Sequence, residues 1–139
     1  MQTTFELSTQ GQGLYEFTAD VDAFVRCEAT ERGLLTLFCQ HTSCSLVIQE
    51  NADPDVQRDL NAFFKRLVPD ANDPSMAYLH HRAEGPDDMP AHIKAALTQT
   101  SLSIPIADGR ILLGTWQGIY LFEHRAQAHT RRVVAHLVQ

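Results

Sequence analysis

Seven histidines are many for a chain of 139 residues, and several stand where polar residues gather rather than on apolar stretches. His41 lies in Gln40-His41-Thr42-Ser43, with Glu50-Asn51 following within ten residues. His80 and His81 sit in a loop that passes Glu84 and enters a helix at Asp87-Asp88, and His92 lies in the first turns of that helix. A helix N-terminus carries partial positive charge that disfavours imidazolium, so His92 tends to stay neutral and keep a lone pair for a cation. Three imidazoles with an open fourth position make a catalytic-type zinc or related divalent site, with Glu50 or Glu84 as carboxylate ligand or supporting partner. No His-Glu-x-x-His pair is present, so the ligands would come from separate elements, and spacing alone fits ordinary hydrogen-bonded histidines better than a metal site.

Gly114-Thr115-Trp116-Gln117-Gly118 places the only Trp between two glycines, which let backbone turn tightly or approach another group closely. A structural bulge and a binding loop are equally good readings. Glu123-His124-Arg125 and the adjacent pair Arg131-Arg132 follow. The planar fork of arginine suits a phosphate, and an edge-strand ion pair is the plain alternative. Ser43 and Cys44 are poor nucleophile candidates, because neither lies in a Gly-x-Ser-x-Gly elbow or a cysteine-hydrolase setting.

The elements that must position these groups are legible as patterns. Residues 3–7 and 13–18 alternate and read as a hairpin; Asp20 opens a helix with Val21, Phe24 and Val25 on one face and Gly33 as its stop. Residues 34–39 and 43–49 read as two central strands. Asp53-Pro54 supplies an N-cap and a first-turn proline, and Val56, Leu60, Phe63, Phe64 and Leu67 form one apolar stripe predicted to face a sheet. A loop spans 69–75, a third helix carries Met89, Ile93, Ala96 and Leu97, and strands follow at 101–106, 111–113, 119–123 and 131–138. Hairpin-like pairs rather than strand-helix-strand repeats predict an antiparallel α+β domain.

One domain of ordinary size is expected. The net charge of −6 and the lack of any Lys/Arg run argue against nucleic-acid binding. There is no basic segment leading into an apolar run, and no 18 consecutive apolar residues, so neither secretion nor membrane spanning is expected and the cytoplasm is the expected compartment. Cys27, Cys39 and Cys44 are odd in number with no Cys-x-x-Cys spacing, and buried, reduced thiols are expected.

Four motifs, taken together and in order, are specific: residues 40–45 from Gln40 to Ser45, Glu50-Asn51-Ala52-Asp53-Pro54, residues 84–94 from Glu84 to Lys94, and Gly114-Thr115-Trp116-Gln117. They resemble the YjbQ-like family, described as secondary thiamine-phosphate synthases, over nearly the whole chain. The resemblance implies a single domain over 1–139 with an α+β sandwich of about seven mostly antiparallel strands and about three helices, assembling as a homotrimer. It further implies metal ligands His41, His81 and His92, His81 being preferred to His80 by its distance from Glu84-Gly85. Zinc is the expected cation, with magnesium as the alternative for a diphosphate substrate. The expected catalytic carboxylates are Glu50 and Glu84, and the expected substrate contacts are Thr42, Ser43, Asn51, Trp116, Gln117, Arg125 and Arg131. The implied reaction joins hydroxymethylpyrimidine diphosphate to a thiazole phosphate. A metal-dependent hydrolase of a small phosphorylated metabolite and a non-catalytic metal- or ligand-binding trimer are the alternatives. The usual thiamine-phosphate synthase barrel needs roughly 200 residues or more, so this chain is not one.

Overall fold

The alternating apolar residues become eight strands and three helices in the computed structural model, which describes residues 1–139. In order they are β1 (Gln2–Gln10), β2 (Gly13–Glu16), α1 (Thr18–Cys27), β3 (Arg32–Cys39), β4 (Cys44–Glu50), α2 (Pro54–Leu67), α3 (Asp88–Leu97), β5 (Ser101–Ala107), β6 (Arg110–Ile111), β7 (Gln117–Glu123) and β8 (Ala128–Val138). A short 3-10 turn at Pro74–Met76 lies between α2 and α3.

The strands form two antiparallel sheets, ordered β1-β8-β3-β5-β6 and β2-β7-β4. One core of 16 buried residues joins the facing sides, drawing Leu35 and Leu37 from β3, Ile104 from β5, Val133 and Leu137 from β8, and Ile119 and Leu121 from β7. Burying each such side chain contributes roughly 1.5–3 kcal/mol. Because side chains alternate along a strand, β7 sends Ile119, Leu121 and Glu123 inward and Tyr120, Phe122 and His124 to its other face. That face is covered by α2, whose Phe64 meets Phe122 edge-to-face at 5.1 Å, and whose Gln57 amide donates to the Tyr120 hydroxyl at 3.1 Å. The architecture is therefore α+β, with sheet, sheet and helix in successive layers.

Four sequence expectations are corrected. The hairpin of β1 and β2 does not form: β1 pairs with β8 and β2 with β7, in different sheets. Gly11 and Gly13, at φ +120° and +150°, let the intervening chain cross from one sheet to the other. Gly33 does not stop α1, which ends at Cys27; it sits inside β3, where an added Cβ would lie 2.4 Å from the Val138 carbonyl oxygen. The α2 stripe is only partly covered, with Phe63 and Leu67 exposed. Cys27 is exposed, whereas Cys39 and Cys44 are buried with sulfurs 3.4 Å apart.

Candidate metal centre at the start of α3

Asp88 opens α3 and His92 lies one turn later, so an i, i+4 spacing puts both side chains on one face. The loop before the helix returns His81 to the same point. Nε2 of His81 lies 2.7 Å from Asp88 Oδ2, and Nε2 of His92 lies 3.1 Å from the same oxygen. All three ligand atoms fall within 4.8 Å of one another. The Asp88 side chain is 6% exposed, whereas the His81 and His92 side chains keep 46% and 31% of their surface. Burial alone would raise the Asp88 carboxyl, but the hydrogen bond from His81, the charge that His92 carries when protonated and the Arg125 charge outweigh it and hold the group below the usual carboxylate range.

The partners of His92 test whether a cation fits. Its Nδ1 lies 2.8 Å from the carbonyl oxygen of Thr42, which can only accept, so Nδ1 carries a proton. In the neutral ring Nε2 then has a bare lone pair aimed at a carboxylate oxygen. Two acceptors face one another unless a cation or a second proton lies between them. A metal ligated by Nε2, with Nδ1–H held by a backbone carbonyl, satisfies this arrangement. The donor set of two imidazoles and one carboxylate suits zinc or a related divalent ion.

The remaining expected site residues divide between the two ends of the β4–β7 pair. At the His92 end, Thr42 holds that ring, and His41, Thr42, Cys44 and His92 line one cleft of about 370 Å³. His41 does not join the His81–Asp88–His92 cluster. Its Nε2 accepts the backbone N–H of Arg132 at 2.8 Å, which puts the neutral ring's proton on Nδ1 and leaves neither nitrogen free in this arrangement. Burial, and then the Arg131 charge, push its pKa down.

Ser43 and Arg131 are buried, and the Arg131 fork is taken up by Glu123 at 2.8 and 2.6 Å and by the Ser43 hydroxyl at 2.9 Å. Arg125 is also fully engaged: it donates to Asp87 at 3.0 Å, to Asp88 at 2.8 Å and to the Glu84 carbonyl at 3.0 Å. The Glu84 carboxylate lies outside the cluster.

At the other end, Glu50 pairs with Gln117 in the β4–β7 register, the Asn51 N–H donates to the Trp116 carbonyl at 3.0 Å, and Trp116 is 62% exposed. Glu50 follows Cys44 by six residues along β4, about 20 Å at strand rise. One chain therefore keeps Glu50, Asn51, Trp116 and Gln117 apart from the imidazoles. The Trp loop is a turn closed by Gln117, whose Oε1 accepts the Gly114 N–H at 2.7 Å.

Two groups near the site do not stand out in the sequence. Asp88 reads there as part of a helix start, although its i, i+4 relation to His92 is also visible. His124 is 1% exposed, bonded to the Ser45 hydroxyl at 2.9 Å, and its pKa is pushed down to about 3 by burial and then by the Lys94 charge. Nothing in its local sequence marks it.

With this geometry in hand, the chain can be set beside known proteins. A sequence profile of the family described as UPF0047 protein YjbQ-like matches residues 3–139. The chain belongs to this family. It is 49% identical over 136 residues to UPF0047 protein sll1880 of Synechocystis sp., covering 98% of this chain and 90% of that one. It is 43% identical to UPF0047 protein YjbQ of Escherichia coli O157:H7, covering 98% and 96%. Among solved structures, a YjbQ/UPF0047-family protein of Clostridium acetobutylicum superposes with a TM-score of 0.86 at 33% identity, covering 98% of this chain and 99% of that one. A protein of Aeropyrum pernix K1 shares the fold, with a TM-score of 0.88 at 23% identity and coverage of 99% and 98%. The YjbQ-like motifs thus coincide with both ends of the β4–β7 pair, and no helix of the chain is long and apolar enough to cross a membrane.

Proposed function

We propose that this YjbQ-like chain is a divalent-metal-dependent enzyme of a small phosphorylated metabolite, and that its reaction is of the thiamine-phosphate synthase type. The observation that carries the metal reading is the convergence of His81, Asp88 and His92, with His92 Nε2 3.1 Å from the Asp88 carboxylate and its Nδ1 held by the Thr42 carbonyl. Zinc is the favoured ion for this donor set, and magnesium the alternative for a diphosphate substrate. When bound, such an ion supplies electrostatic stabilisation of a departing diphosphate. The chain's own residues hold the first turn of α3 in place through Arg125 and orient His92 through Thr42. Family resemblance supports the synthase reaction; hydrolysis of a phosphorylated metabolite is the alternative enzyme reading.

A homotrimer belongs to the same proposal. The outward face of the five-stranded sheet leaves Leu34, Phe38 and Val138 about half exposed, an apolar surface suited to another copy. A cyclic assembly can set the Glu50–Trp116 end of one chain against the His81–His92 end of the next, which answers the separation within one chain. Mixing tests it. Glu50→Gln and Asp88→Asn are each expected to abolish condensation of the two precursors, Glu50→Gln keeping its metal, and reassembled mixtures of the two should regain activity. Full activity in Glu50→Gln removes that residue from the mechanism, with Glu84→Gln as the parallel trial. A solution mass near 15.6 kDa removes the trimer. Metal content lost in Asp88→Asn, with no product from the parent protein, would favour the non-catalytic binding trimer, a reading supported by the lack of Glu50 and Glu84 in the cluster.

A further inference from the structure

The chain contains two lysines, Lys65 on α2 and Lys94 on α3, and both line one cavity of about 340 Å³. Gln12, Asp70 and Asp87 are its other polar lining residues, set among Val68, Pro69 and Ala126. Lysine ordinarily uses its long stem to carry the charge out to water. Lys94 does the reverse. The residue is 4% exposed, its ammonium forms no hydrogen bond or ion pair within the chain, and the exposure it keeps opens on the cavity. An ammonium whose stem is buried and whose head meets only the water of a small cavity is poorly hydrated, and an anion in the cavity relieves that cost.

The two arginines nearest the candidate metal centre are already occupied. Nε and Nη2 of Arg131 are taken up by Glu123 and Ser43, and all three nitrogens of Arg125 by Asp87, Asp88 and the Glu84 carbonyl, so neither guanidinium offers an empty two-nitrogen fork. Of the carboxylates at the cavity, Asp87 is already countered by Arg125 at 3.0 Å and by the Ala126 N–H at 2.9 Å. Asp70, at the exposed rim, is the one left facing the lysines. Asp87 and Asp88 are neighbours in the chain, so the cavity and the candidate metal centre share the first turn of α3.

We propose that this cavity is an anion subsite that receives the phosphate of a small phosphorylated ligand, with Lys94 as buried anchor and Lys65 as second cation. The proposal deepens the metal-dependent reading and rests on it only for what carries the phosphate; the anion site itself stands on the cavity.

The test uses inorganic phosphate and pyrophosphate, titrated by calorimetry into the full chain with zinc and after chelation. Saturable binding is expected in both forms, weakening as salt is raised. Lys94→Met is expected to weaken it at least tenfold and Lys65→Met less, while Asp88→Asn loses zinc and keeps phosphate. A second measurement needs no variant: with only two lysines, acetylation mapped by mass spectrometry should show phosphate protecting Lys94. Parent protein without binding, Lys94→Met with parental affinity, or binding seen only with zinc and lost in Asp88→Asn would each overturn the subsite. In the first two cases the metal reading survives. A parent chain that takes up no zinc yet still binds phosphate removes the metal reading and leaves the subsite.

Discussion

Two carboxylate–arginine networks meet at the end of β7, built from the same chemistry and put to opposite uses. Glu123, fully buried, accepts Arg131 at 2.8 and 2.6 Å and the Thr9 hydroxyl at 2.6 Å, while Arg131 reaches on to Ser43. Every partner lies inside the sandwich and ties β1, β7, β8 and the β3–β4 turn together. Two residues later Arg125 grips Asp88, but the other side of that carboxylate faces two imidazoles that solvent reaches. The first network is enclosed within the sandwich; the second keeps a half-open face. What separates a structural ion pair from a site here is the exposure of the partners, not their identity.

The enclosed region should dominate acid stability. His124, on the opposite face of β7 from Glu123, has a folded pKa of about 3 against an ordinary 6.5, and Glu123 is also held below its ordinary value. Burial alone would raise the Glu123 carboxyl; the hydrogen bonds from Arg131 and Thr9 and the Arg131 charge outweigh it. For both groups the unfolded chain binds protons first as pH falls. Their contribution is therefore intact above pH 6.5 and is lost going down, through His124 between about 6.5 and 3 and through Glu123 from about 4.5 downward. The His124 part amounts to about 5 kcal/mol at its lower limit. Denaturant midpoints measured from pH 7 to pH 3 should show the ramp, and His124→Gln should flatten its upper half. An unchanged ramp in that variant would move the acid sensitivity elsewhere.

Next in size is Arg131→Met, which strands the Glu123 carboxylate in the core and should cost about 3–5 kcal/mol by urea unfolding. Zinc affinity of the folded variant should stay near that of the parent. If zinc affinity falls as steeply as stability, the two networks are one unit and the contrast fails. At the open network Asp88→Asn should do the converse, lowering zinc affinity in a competition titration by roughly 100-fold or more, since losing even an outer partner of a ligand costs about 10–100-fold. Equal zinc affinity would take Asp88 out of the site.

How far the sequence could foresee this contrast depends on the range of the interaction. Asp53-Pro54 and the apolar stripe after it fix α2 locally, and the strand at 101–106 declares its buried Leu102, Ile104 and Ile106 by alternation. The partner of β1 is over a hundred residues away in β8, and nothing near Phe5 or Leu7 says so; the nearest alternating run offers itself as hairpin mate instead. The imidazoles divide in the same way. His92 and Asp88 are one helical turn apart and readable from spacing. The state of His41 is set by the Arg132 N–H, 91 residues along, and Lys94 looks like any helix-surface lysine until α2 and the Gln12 turn close over it. Arg125 and Arg131 show the limit most plainly, because a guanidinium free for phosphate and one already filled by a buried carboxylate are identical as letters.

The smallest expected effect sharpens the comparison most, because it keeps every charge. In Arg125→Lys the cation at the open network remains, but the fork that reaches Asp87, Asp88 and the Glu84 carbonyl together is replaced by one ammonium. Arg125 touches the far oxygen of Asp88, so it acts on a metal through the carboxylate's orientation. Zinc affinity should fall about tenfold, the low end of the cost for an outer partner, with stability changed by about 1 kcal/mol, as for one charge-assisted hydrogen bond. Arg131→Lys at the closed network makes the matched control: there the loss should appear in unfolding, with zinc binding held. A charge-preserving change that moved both properties equally at both arginines would mean that the whole end of β7 responds as a block, and exposure would no longer explain which network is the site.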